Sequence, residues 1–129
     1  MLSFANFGSS DHPPCRKVAQ AVEILQAKAP EFEVDGEMQV DVALNAEVRE
    51  RDFPFCRLKG NANVLVFPDV AAANIAYKLL TNLGQMKATG PILVGMNKPA
   101  HVLQQTATVQ EVSNMIYVCA HQACKVLPG

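Results

Sequence analysis

A chain of 129 residues, half of them apolar, 18% charged and with a formal net charge of -1, has the make-up of an ordinary globular protein. That balance excludes a disordered polyelectrolyte and a strongly basic binder of nucleic acid or anionic membrane. The length suffices for one domain burying about 65–70% of its unfolded surface and falls short of two.

In chain order, Leu2 to Phe7 reads as a short strand ending in the turn Gly8, Ser9, Ser10 and Asp11. Pro13 and Pro14 suit a first helical turn, where a missing N–H costs little. Val18, Ala21, Val22 and Leu25 then follow at helical spacing up to Pro30. Phe32 to Gln39 reads as a strand interrupted at Gly36, and Val42, Leu44 and Val48 as one short helix ending before Pro54. Asn63 to Phe67 is the compact β-branched run of a strand buried in a parallel sheet. Pro68-Asp69 opens a helix with Ala72, Ile75, Ala76, Leu79 and Leu83 on one face and Gly84 as its C-terminal cap. After Gly90-Pro91 comes a fourth strand, Ile92 to Gly95, and a last helix spans Val109 to Val126. Strands alternating with helices predict a layered α/β domain with a largely parallel sheet.

The longest apolar runs, 63-NVLVF-67 and 115-MIYVCA-120, are far shorter than the roughly 20 residues of a membrane-spanning helix. The opening MLSFANFGSS has no basic leader or cleavage site, so the expected location is cytoplasmic. Cys15, Cys56, Cys119 and Cys124 keep no CxxC or zinc-ligand spacing, which favours reduced cysteines and no metal.

Several groups of residues carry chemistry on paper. The turn 8-GSSDHPP-14 could grip a phosphate or carboxylate at a helix start; a cap by Ser10 or Asp11 is the simpler reading. Asp35, Glu37 and Asp41 could hold a hard cation, and strand alternation would align them on one edge with Gln39; a solvated face is the plainer account. His12, His101 and His121 are scattered, and His101 is the one to watch, in the loop that starts at Lys98-Pro99 and runs to the adjacent glutamines Gln104 and Gln105. Arg57-Leu58-Lys59-Gly60 is a basic turn that could meet a phosphate or simply lie at the surface. Thr108 followed three residues later by Glu111 is a capping box for the last helix.

The segments 2-LSFANFGS-9, 34-VDGEMQVDVAL-44, 63-NVLVFPDVAAANIAYKLL-80 and 91-PILVGMNKPAHVLQQTATVQEV-112 together resemble the carboxyl-terminal portion of the phosphate acetyltransferase and phosphate butyryltransferase family, over almost the whole chain in collinear order. The resemblance implies a three-layer α/β/α fold with a mostly parallel sheet, like that of isocitrate and isopropylmalate dehydrogenases. It also implies the interconversion of acetyl-CoA plus phosphate with acetyl phosphate plus CoA. Position by position, that chemistry is stripped. Gln104 stands where the family has its catalytic serine, Gln105 where it has the arginine that meets anionic substrate, Thr106 for a glycine and Ala107 for a cysteine. Glu111 alone keeps an acid in place of the catalytic aspartate, and Ala5-Asn6-Phe7 replaces Ser-Thr-Lys. Losing one preorganised donor costs about 100- to 1000-fold in rate, and a neutral amide cannot replace a bidentate arginine.

Retained scaffold with lost catalytic residues, together with HVLQ at 101–104 and RLKGNANVLVFP at 57–68, looks most like the phosphotransacetylase-like domain of large bacterial NADP-dependent malic enzymes. In those chains a separate amino-terminal domain decarboxylates malate oxidatively to pyruvate with NADP and a divalent metal, magnesium or manganese. Residues 1–129 would then be the C-terminal part of such a domain within a longer chain, inactive alone and holding no cofactor of its own. Its expected partners are its own amino-terminal malic enzyme domain, a second copy in a homodimer or higher oligomer, and acetyl-CoA as effector, with no nucleic acid or membrane. The expected ligand-contacting residues are Gly8, Ser9, Ser10, Lys98, His101, Gln104, Gln105 and Glu111. A phosphate acetyltransferase fragment and a purely structural dimerisation domain are the competing readings.

Overall fold

The computed structural model describes residues 1–126, the side chains of residues 125 and 126 excepted. Among these residues all regular structure is helical: α1 (Pro13–Ala27), α2 (Val40–Leu44), α3 (Ala46–Asp52), α4 (Val70–Asn82) and α5 (Val109–Val126). The chain divides into two compact units, Met1–Lys78 and Leu79–Gly129.

In the first unit, α1 buries Cys15, Val18 and Val22, a three-then-four spacing that stacks them on one face. Pro13 occupies its first position, where no N–H is missed. Neither Ser10 nor Asp11 caps it as expected. His12 is the N-cap without a side-chain bond, and the Asp11 carboxylate instead accepts from Arg16 at 2.6 Å. The one short helix expected after Gln39 is two, because the Asn45 side chain accepts from the Val48 N–H at 3.2 Å and starts α3 afresh.

Leu2, Met38, Val42 and Ala43 form the buried core of this unit, with Phe7, Val48, Phe53, Leu58, Leu65 and Phe67 packed around them. Arg49, 2% exposed, is buried beside them. Its guanidinium donates to the Ala43 carbonyl at 2.8 Å and to the carbonyls of Val42 and Gly60, joining the end of α2 to the 58–62 loop. At the end of the unit, Asp69 accepts from the Ala72 N–H at 2.8 Å and caps α4 as its sequence predicts.

The expected three-layer α/β/α arrangement with a mostly parallel sheet is overturned: none of the four expected strands forms among the described residues. What remains is a meeting of three extended segments, in which Leu2 N–H donates to Val66 at 2.8 Å, Met38 N–H to Met1 at 3.2 Å and Ser3 N–H to Met38 at 2.9 Å. Among the described residues the only ladder element is an isolated parallel bridge, Leu2 to Met38. A ladder needs consecutive extended residues in register, and the backbone leaves that region on both sides, at Gly36 (φ 138) and Phe7 (φ 45). Glycine is required at 36, since a Cβ there would lie 2.5 Å from the Met1 carbonyl oxygen.

In the second unit, the segment expected as a buried strand at 92–95 forms no strand, and Val94 is 84% exposed. α4 ends as expected near Gly84, whose N–H returns to Leu79. α5 spans the predicted range and turns Met115 inward. No described helix is long and apolar enough to cross a membrane.

Candidate functional site

Two loops hold the candidate residues, one in each unit. In the second unit, the loop from 98 to 107 leads into α5, and Thr108 and Glu111 close its end reciprocally. The Glu111 carboxylate accepts from the Thr108 N–H at 2.7 Å and its hydroxyl at 2.9 Å, while Glu111 N–H donates to the Thr108 hydroxyl at 3.3 Å. Those bonds hold the Glu111 carboxyl below the usual glutamate range, so it stands ionised at neutral pH with its Oε2 engaged in the cap.

Gln104 and Gln105 lie exposed on the same loop, and the Gln104 carbonyl accepts from the Ala107 N–H at 3.0 Å in a tight turn just before the helix. Lys98, also exposed, is the single cation between residues 98 and 107. His101 is half-buried and ties the loop down: its Nδ1 receives the Leu93 N–H at 3.2 Å and its Nε2 lies 2.8 Å from the Gln122 Oε1. A second tie runs from the Cys119 thiol to the Pro99 carbonyl at 3.7 Å. The Gln122 contact was invisible to sequence reasoning, because a lone glutamine 21 residues from its partner carries no spacing signal.

In the first unit, the turn around Gly8 is held from inside the fold. Ser9 N–H donates to the Asn6 carbonyl at 2.9 Å, and the Gly8 N–H donates to the Glu37 carboxylate at 2.6 Å. The donor that an anion would use thus faces a buried carboxylate, with Glu37 only 2% exposed. Asn6 exchanges two bonds with Gln39, at 3.1 and 2.7 Å, fixing the turn from its other side.

The acidic cluster is neither a solvated face nor a common edge. Asp35 and Glu37 are buried, whereas Asp41 lies exposed on α2. Asp35 accepts from the Arg57 N–H at 2.6 Å and the Gly36 N–H at 2.9 Å, so each buried carboxylate satisfies backbone donors. No group of three potential ligands among the described residues could hold a metal ion, and these carboxylates do not fit a divalent cation. The basic turn is a surface turn pinned by acids, with the Lys59 N–H on Glu33 at 3.0 Å. His12 meets Phe4 edge-on at 5.7 Å, and His121 is exposed on α5.

A cavity of about 720 Å3 also opens in the first unit, walled by Leu2, Leu25, Phe32, Met38, Leu58 and Val64 with Asp35 among them. None of the expected ligand-contacting residues lines it. Chemically, the 98–111 loop offers amides, one lysine and an engaged carboxylate. It offers no hydroxyl at position 104 and no guanidinium at 105 with which to attack or clamp an anionic acyl donor.

Comparison with known proteins places these features. The family described as phosphate acetyl/butaryl transferase matches residues 1–120. The phosphate acetyltransferase of Bacillus subtilis is 44% identical over 123 residues, covering 95% of this chain and 38% of the relative. The NADP-dependent malic enzyme of Escherichia coli is 43% identical over 124 residues, again covering 95% of this chain but 16% of the relative. Among solved structures, the EutD phosphotransacetylase from Staphylococcus aureus superposes with a TM-score of 0.87 at 40% identity, covering 95% of this chain and 38% of that one. This chain therefore spans well under half of the length of the relatives it matches.

Proposed function

This chain belongs to the phosphate acetyl/butaryl transferase family, and from that premise we propose that it is a non-catalytic, acetyl-CoA-sensing and subunit-contact module of a cytoplasmic NADP-dependent malic enzyme. The observation that carries the reading is the exposed pair Gln104-Gln105, set in a loop tied down at His101 and capped by Thr108 and Glu111. A scaffold kept in order around amides, where acyl transfer needs a hydroxyl and a cation, suits a site that binds without turnover. Binding of that kind regulates when the ligand favours one of two global states of the assembly. NADP and the divalent metal belong to the malate-oxidising part of such an enzyme, not to these residues.

Lys98 and the loop amides would meet the effector. Taken by itself, the Gly8, Ser9 and Ser10 turn of the first unit would offer an anion its Ser9 and Ser10 hydroxyls, since the Gly8 N–H is engaged by Glu37. The competing reading, a phosphate acetyltransferase, draws on identities of 44% and 43% that do not separate the two kinds of relative. A purely structural dimerisation role draws on α4, which is mostly apolar yet has no buried residue.

Calorimetric titration of acetyl-CoA into the chain, with acetyl phosphate formation assayed in parallel, separates the three. The expected outcome is saturable heat without turnover. Acetyl phosphate above background overturns the reading, and no heat with a concentration-dependent dimer leaves the assembly role alone.

A further inference from the structure

We infer that His101 is a pH-operated latch that fastens the 91–95 segment to the loop and α5 only while its ring is neutral. A backbone N–H can only donate, so the Leu93 N–H at 3.2 Å requires a bare lone pair on Nδ1. The ring proton of the neutral imidazole then sits on Nε2, where the Gln122 Oε1 at 2.8 Å accepts it. The two contacts specify one tautomer between them.

Protonation treats the two contacts differently. Imidazolium carries N–H on both nitrogens, so Nδ1 now opposes the Leu93 N–H donor to donor. Nε2 keeps its bond to Gln122, strengthened by charge. Acid therefore releases the Leu93 N–H while the ring stays with α5; among the described residues no strand pairs with the 91–95 segment, and Val94 is 84% exposed. The Cys119 contact to Pro99 does not depend on the ring and keeps the loop on α5 in either state.

Residues 90–96 carry no titratable side chain. On the loop the titratable neighbour is Lys98; among the described side chains on the stretch of α5 around Gln122 they are Cys119, His121 and Cys124. Lys98, His121 and Cys124 are exposed and Cys119 half-buried, so none competes for the Leu93 N–H. This latch stands independently of whether the loop binds an acyl-CoA.

Two readouts on the 15N-labelled chain test it. Imidazole 15N shifts at about pH 8 are expected to show His101 as the Nε2–H tautomer; the Nδ1–H form would overturn the inference. Amide exchange, corrected for its intrinsic pH dependence, is expected to lose about tenfold protection at Leu93 between about pH 8 and about pH 5. Val112, whose N–H bonds Thr108 within the α5 start, serves as the unchanged reference. His101→Asn supplies a non-titrating acceptor and is expected to abolish the pH dependence. Leu93 protection that does not change with pH, or that still falls in His101→Asn, would overturn the latch.

Discussion

Glu111 shows how one side chain can be read two ways from sequence and one way from structure. By resemblance it occupies a catalytic acid's place; by geometry it accepts both the N–H and the hydroxyl of Thr108, at 2.7 and 2.9 Å. Those bonds lower its folded-state pKa, so the cap contributes fully above the ordinary glutamate range and is lost as pH falls through the lowered value. A titration of the Thr108 amide shift is expected to show a midpoint below that of a free glutamate. Glu111→Gln, which keeps an acceptor oxygen, is expected to remove the transition, and a midpoint at or above the ordinary value would contradict the cap. The capping box was legible because Thr and Glu three apart is a local signal. The partners of Gly8 and His101, namely Glu37 and Gln122, were not, because they are 29 and 21 residues away in sequence.

At the scale of elements, helices were legible and strands were not, for one physical reason. A helix satisfies its backbone within a few neighbouring residues, so the periodicity of α1 and the Asp69 cap of α4 announced them. A strand exists only through partners elsewhere. The runs at 63–67 and 92–95 have strand composition, yet they pair at one carbonyl, that of Val66, or with a histidine ring. Arg49 escaped notice on a charged stretch, 46-AEVRERD-52, where burial was unexpected. Arg49→Met would take the donor from the buried Val42 carbonyl and from that of Gly60, while the Ala43 carbonyl keeps the Ala62 N–H at 2.9 Å. The expected loss is at least about 1 kcal/mol, at about 1–3 kcal/mol for an unsatisfied buried group. Urea denaturation of the variant measures it; a loss within 0.5 kcal/mol, the scale of an ordinary surface change, would show that Arg49 does not join α2 to the 58–62 loop.

At the scale of the whole molecule, family membership was the most legible property of all, because collinear blocks such as FPDVAAANIAYKLL specify far more than any single motif. The fold class drawn from that resemblance was the least secure, since a sheet depends on neighbouring strands and this chain spans 38% of the phosphotransacetylase it superposes on. The account's central claim concerns two side chains, Gln104 and Gln105, as the places where transferase chemistry is removed. The direct test is a chimera in which this chain replaces the matched portion of the Staphylococcus aureus EutD phosphotransacetylase. Its rate of acetyl phosphate formation is compared with that of the same chimera bearing Gln104→Ser and Gln105→Arg. The account predicts that restoring the hydroxyl and the guanidinium raises the rate by at least about 100-fold; equal rates in the two chimeras would contradict it.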